Sequence, residues 1–147
     1  GFSLKYKDAQ DDDEKKDNLT PYADREREYS NNLITGAVFK TNVDNTHPMA
    51  FGYDENYFTL KRGSSSYNLL DSGYNVAHIT DNKVYSGFAG QDALKNMNKT
   101  LVFGEEPMGS GSFIYMVENT LFRSFWENGK LFLVNSIFFV NNNAFEL

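Results

Sequence analysis

Cysteine is missing from this chain altogether. That excludes a disulfide framework, a thiolate metal site and a cysteine nucleophile. Histidine is nearly missing too, and the two residues, His47 and His78, do not stand in the H-x-x-E or H-E-x-x-H spacings that bring zinc ligands together. Positive charge is in deficit: 14 Lys and Arg face 20 Asp and Glu, for a net charge of −6 and a pI near 4.8. A phosphate backbone needs the opposite balance, so nucleic acid is not an expected partner. No apolar run reaches the roughly 18 to 20 residues that a membrane span requires. No signal peptide is visible either. Gly1 has the look of a residue left by tag removal, so the native N-terminus and any signal are expected to have been cut away.

What is abundant is aromatic. Phe, Tyr and Trp make up 16% of the 147 residues, which favours a β-rich core or an aromatic binding surface. The length suits one domain with its own core. The expected organisation is a charged segment over residues 1–18 and a single domain over 19–147. The run Asp11-Asp12-Asp13-Glu14 lacks the D-x-D-x-D-G register of a calcium loop and reads as a solvated loop.

Thr20-Pro21 reads as a helix start, with Thr as N-cap and Pro in the first position. Tyr22, Tyr29 and Leu33 would then pack on one side. Asp24 to Glu28 would form an exposed mixed-charge face rather than an anion clamp around Arg25 or Arg27. Short strands are expected at Ala37–Val43, Met49–Gly52, Tyr57–Leu60, Tyr74–Ile79 and Thr100–Phe103, each bounded by turn residues. Gln91–Asn98 reads as a short helix with Ala93, Leu94 and Met97 inward, and the polar-then-apolar tail from Asn141 should fray or dock weakly.

The stretch from Gly109 to Val140 holds the single Trp and Phe113, Phe122, Phe125, Phe132, Phe138 and Phe139, so the core is expected to nucleate there. Ser112–Val117 has the composition of a buried strand, entered through Gly109 and Gly111 at positive φ. Asn119 would cap a helix carrying Leu121, Phe122, Phe125 and Trp126 on one face, ended by Asn128-Gly129. Leu131–Val140 is either a hairpin arm or a fully buried helix, with the helix preferred. Phe113, Tyr115, Phe122, Arg123, Phe125, Trp126, Leu133 and Phe138 are the expected structural residues of this stretch. The element order predicts an α+β (or α/β) domain with a mixed sheet of about five to seven short strands and two to four helices.

Catalytic readings find little support. His47 lies in a turn near Asp44, Asp54 and Glu55, so a hydrolase would use His47 with Asp44 or Asp54; a structural turn is the plainer reading. His78 reads as exposed or hydrogen-bonded on a strand. Gly109-Ser110-Gly111-Ser112 lacks the G-x-S-x-G frame of a nucleophile elbow, and its glycines precede a strand instead of following one, the wrong order for a phosphate loop. Asp54, Glu55, Glu105, Glu106 and Glu118 would make an acid–base pair only if the fold brought two of them within about 5 to 10 Å. A peptide- or glycan-binding surface is the better alternative, drawn from aromatic strand ends (Tyr53, Tyr57, Phe58, Tyr67, Tyr74 and Tyr85) together with His47 and Asp54, although these aromatics read equally well as core.

Three stretches carry a family resemblance: Ile34–Gly52 (ITGAVFKTNVDNTHPMAFG), Tyr85–Ala89 (YSGFA) with Leu101–Gly104 (LVFG), and Gly109–Phe139, above all ENTLFRSFW at Glu118–Trp126. Over about residues 20 to 140 the chain resembles the C-terminal, class I glutamine amidotransferase-like region of zinc carboxypeptidase proteins of the Bacteroidetes type. The resemblance implies a secreted or periplasmic parent whose zinc and catalytic Glu lie in a separate peptidase domain. No position here matches that zinc motif, and the amidotransferase Cys is missing; His47-Pro48-Met49 has Met where that family's His-Pro-Glu element has its acid. The expected function is therefore a non-catalytic accessory domain without a cofactor of its own, packing on other domains of the parent. An uncovered sheet edge would allow copies to pair.

Overall fold

The computed structural model describes residues 3–7, 21–124 and 126–140. Side-chain alternation explains which segments build its sheet. Strand β1 (Ile34–Val43) turns Ala37, Phe39, Thr41 and Val43 inward at every second position, as a half-buried strand must. A register shift between Ile34 and Gly36 brings Ile34 inward as well. Strand β2 (Asn56–Lys61) lies antiparallel to β1 and buries Tyr57, Thr59 and Lys61 on the same alternation.

Strand β3 (Tyr74–Ala89) pairs with the other side of β1. Its first half supplies Val76, Ala77 and Ile79 to the core. Between Ile79 and Val84 it carries three more residues than β1 does between Phe39 and Thr41, and beyond that bulge it is mostly exposed. Strand β4 (Thr100–Met108) is buried from Thr100 to Glu105 because β3 and β5 (Gly111–Met116) flank it. The order is β2-β1-β3-β4-β5, and every pair is antiparallel.

Three helices complete an α+β domain: α1 (Tyr22–Asn31), α2 (Gln91–Lys95) and α3 (Glu127–Phe138). Helix α3 packs Phe132 against the sheet, where its ring stacks on Tyr53 at 4.0 Å and meets Phe103 at 4.1 Å. Asn135, fully buried, donates from Nδ2 to the carbonyls of Met49 at 3.0 Å and Phe51 at 2.7 Å, pinning the helix to the turn over Pro48–Ala50. No helix among the described residues is long and apolar enough to cross a membrane.

The fold class, five strands near their expected places, the short helix after Gly90 and a helix in the terminal run agree with the sequence reading, but that helix is not fully buried: Leu131, Val134, Ile137 and Phe138 are exposed. Other expectations need correction. The sheet is antiparallel throughout rather than mixed. The core is centred on β1, β3 and β4: among the described residues Phe39, Phe103, Phe132, Met49 and Ile79 are its largest buried side chains, and of these Phe132 alone comes from the Gly109–Val140 stretch.

Within that stretch Phe113, Tyr115, Phe122, Trp126 and Leu133 are half-buried, while Arg123 and Phe138 are exposed. β5 is an edge strand with one neighbour, so it cannot be enclosed. α3 is apolar around more of its circumference than the sheet covers. Phe125, the Asp11–Glu14 run, Thr20 and the tail from Asn141 lie outside the described residues.

No α-helix forms at Asn119. Its Oδ1 accepts the Leu121 N–H at 2.9 Å, a local turn that competes with helix. Only a 3-10 turn follows at Phe122–Ser124, with Arg123 and Ser124 at φ +51° and +59°. Asn128 and Gly129 open α3 instead of ending a helix. Gly129 is required there because a Cβ would strike the Thr120 carbonyl oxygen.

Met49–Gly52 is not a strand. Pro48 fixes the first residue of a 3-10 turn that His47 caps. Helix α1 buries nothing, and Tyr22 and Tyr29 are exposed. Gly109 takes the expected positive φ; Gly111 does not.

Candidate functional site

The fold gathers a buried polar cluster around His47, one of the residues the sequence singles out. His47 ends the loop after β1, and Pro48 locks the following turn. The Met49 N–H donates to its Nδ1 at 3.2 Å. The ring proton therefore sits on Nε2, which meets Glu105 Oε2 on β4 at 2.9 Å. Ser112 on β5 donates its hydroxyl to the other Glu105 oxygen at 2.5 Å, and the Tyr74 ring packs against His47 at 5.1 Å. The side chains of His47 and Glu105 are 7% and 9% exposed.

This order differs from a hydrolytic triad, in which the serine donates to the imidazole. Here the serine donates to the carboxylate, and both imidazole nitrogens are engaged. His47 has no free nitrogen with which to accept a proton from substrate. Burial holds its pKa below the ordinary histidine value, outweighing Glu105 and Asp44, which act the other way. A protonated ring would also turn an Nδ1–H toward the Met49 N–H. The geometry describes a neutral clamp between the Pro48 turn, β4 and β5.

The expected partners do not take part in this bond. Asp44 accepts from Thr46, on its backbone N–H and its hydroxyl, and is exposed. Asp54 is exposed on the far side of Tyr53 in sequence. Glu105, named only as a generic acid, is the true partner. It lies 58 positions from His47 in sequence, and no local spacing could have joined them.

A second ionic site is buried beside the start of α3. Lys61 donates to Glu118 Oε1 at 2.6 Å and to the Ser65 carbonyl at 2.6 Å. Desolvation raises the Glu118 pKa despite the lysine and the Arg62 N–H, which both lower it. Sequence reasoning missed Lys61, although a signal was present: it shares the inward parity of Tyr57 and Thr59 on β2.

The proposed tyrosine surface splits. Tyr57 is buried, its hydroxyl accepts the Trp126 indole N–H at 3.1 Å, and burial pushes its pKa up to about 12. Tyr53 stacks on Phe132 and donates to the Asn128 carbonyl at 2.6 Å, and burial raises its pKa as well. Both are core residues fastening α3, not recognition residues. Tyr74 is half-exposed over His47, and Phe58 and Tyr85 form an exposed edge-to-face pair at 5.3 Å. His78 is half-buried on β3 with a buried Nδ1 that has no partner.

Among the described residues, the outer face of α3 gathers several exposed apolar side chains. At 100° per residue, Leu131, Val134, Ile137 and Phe138 fall within an arc of roughly 120° whose centre is about 160° from Phe132, with Asn135 bordering it about 40° from Leu131. Ile137 is 65% exposed and Phe138 62%. Phe51 and Phe139, both exposed, meet edge-to-face at 5.5 Å. Among the described residues no group of three or more His, Cys, Asp or Glu is placed to hold a metal ion. The chain matches no protein-family model, no curated protein and no solved structure.

Proposed function

We propose that this chain is a non-catalytic accessory domain that packs, through the outer face of α3, on the rest of a larger zinc carboxypeptidase-like protein. The carrying observation is that apolar face. Leu131, Val134 and Ile137 face solvent on a helix whose opposite side is already docked, and contiguous apolar surface of this kind marks an interaction site. Burying a side chain such as Ile137 against a partner contributes about 1.5 to 3 kcal/mol. The resemblance of Ile34–Gly52 and Glu118–Trp126 to the C-terminal region of secreted or periplasmic zinc carboxypeptidases supports the choice of partner. In that reading the zinc belongs to the partner domain. The occupied nitrogens of His47 support a structural role for the buried polar cluster.

The test places lysine at Val134 and Ile137 in two contexts. In this chain alone, V134K and I137K should leave the cooperative melt within about 0.5 kcal/mol, as surface substitutions do. In the complete product of the gene they should detach the domain, seen as a separate melting transition and new protease cleavage between domains. An unchanged complete product, or a gene encoding no peptidase region, would overturn the proposal.

A further inference from the structure

The outer edge of β5 is built to receive another strand. In the β4–β5 ladder, Val117 N–H donates to the Val102 carbonyl at 3.0 Å, and Phe103 pairs with Met116, Gly104 with Tyr115 and Glu105 with Ile114. Antiparallel pairs alternate between bonded and non-bonded. The backbones of Val117 and Tyr115 therefore point to β4, and those of Ile114 and Met116 point away from it. Among the described residues, no backbone hydrogen bond takes up the outward groups of Ile114 and Met116.

A groove of ≈ 330 Å³ runs along that edge, lined by Ile114, Tyr115, Met116, Val117, Leu4 and Tyr67. The last three residues of β5 and the next one, Val117, line it consecutively. A groove over one face of a strand would be lined by alternate residues, so this one lies on the backbone edge.

β5 (GSFIYM) has no charge and no proline, whereas the opposite edge strand, β2, carries an inward-pointing Lys61. The continuation of the same rim already holds an extended segment of this chain. Tyr6 bridges Tyr67 antiparallel, Lys7 N–H donates to Ser66 O at 2.8 Å, and Asn68 N–H donates to Lys5 O at 3.0 Å.

We infer that the β5 edge is a strand-addition site for an extended peptide with uncharged, apolar side chains at alternate positions. Main-chain bonds to Ile114 and Met116 would supply the affinity, and the uncharged groove between Leu4, Tyr67 and β5 would select apolar side chains. The inference does not depend on α3 or on the nature of the parent protein.

The test uses an acetylated, amidated peptide, Lys-Val-Thr-Val-Thr-Val-Lys, at about 2 mM, and a twin methylated on alternate backbone nitrogens. Amide hydrogen exchange is read residue by residue. Peptide at ten times its Kd should slow exchange at Ile114 and Met116 about tenfold, and the methylated twin, equal in charge and side chains, should not. Ile114→Pro should abolish the effect while preserving the melt, because the lost N–H faces away from β4. Ile114→Val should retain it. No slowing, equal slowing by the twin, or slowing confined to α3 would overturn the inference. So would protection that rises with protein concentration without peptide, since the occupant would then be a second copy.

Discussion

Phe132 and Ile137 lie five residues apart on α3 and should respond to truncation in opposite ways. Phe132 is fully buried, with Tyr53 stacked at 4.0 Å, Phe103 at 4.1 Å and Tyr57 edge-on at 5.2 Å. Phe132→Ala removes the ring and leaves a void among rigid aromatic neighbours, a change that costs about 3 to 5 kcal/mol. At about 2 to 4 °C per kcal/mol for a domain of this size, the melting midpoint should fall by roughly 6 to 20 °C. Ile137 is 65% exposed, so Ile137→Ala should stay within about 0.5 kcal/mol. Urea titrations followed by far-UV circular dichroism would read both, with equal m-values showing that the denatured state is unchanged. If Ile137→Ala costs as much as Phe132→Ala, α3 is docked by its other face and the reasoning fails.

Three further outcomes concern a buried ion pair, the two histidines and a glycine of β3. Lys61→Met should cost about 3 to 5 kcal/mol by stranding the Glu118 charge, and adding Glu118→Leu should recover much of it in a urea double-mutant cycle; a simply additive double mutant would contradict the buried pair. Burial lowers the pKa of both His47 and His78. The unfolded chain therefore binds more protons below about pH 6.5, and stability is fully present above that pH and declines as pH falls toward the folded values. The urea midpoint should drop between pH 7.5 and 5.5, and His78→Gln should flatten the slope; an unaltered slope would remove His78 from the account. Gly87 sits at φ +88°, where a Cβ would run into the Gly36 carbonyl oxygen on the paired strand β1. Gly87→Ala should therefore cost about 1 to 3 kcal/mol, and a neutral result would show that the ladder relaxes there.

The local signals that proved legible are those written in neighbouring residues. Alternation marked β1 and β2, and a short apolar run marked β5. The length and composition of Leu131–Val140 marked α3. Signals that depend on distant residues were not legible. Nothing near His47 points to Glu105, and nothing in Ser112–Val117 says whether it is a central or an edge strand. Aromatic density made Gly109–Val140 look like the core, yet Phe39 and Phe103, in less aromatic surroundings, occupy it because β1 and β4 have neighbours on both sides. The polar stretch Thr80–Lys83 looked like the end of a strand and is instead a bulge within β3. The φ-positive residues Arg123 and Ser124 broke a run whose apolar spacing was helical. At the candidate site, sequence paired His47 by proximity with Asp44 or Asp54, whereas the fold gives it Glu105; of the two readings left open for Tyr53 and Tyr57, surface or core, the rings that hold α3 fit the second.

Hydroxyl-radical footprinting of Leu131, Val134 and Ile137 is the most direct test of the central claim. It should be done on this chain alone and on the complete product of its gene. The packing account predicts heavy labelling of these side chains in the isolated chain and several-fold protection in the complete protein, with Phe132 protected in both. Equal labelling in the two would contradict it, because the face would then be exposed where its partner should lie.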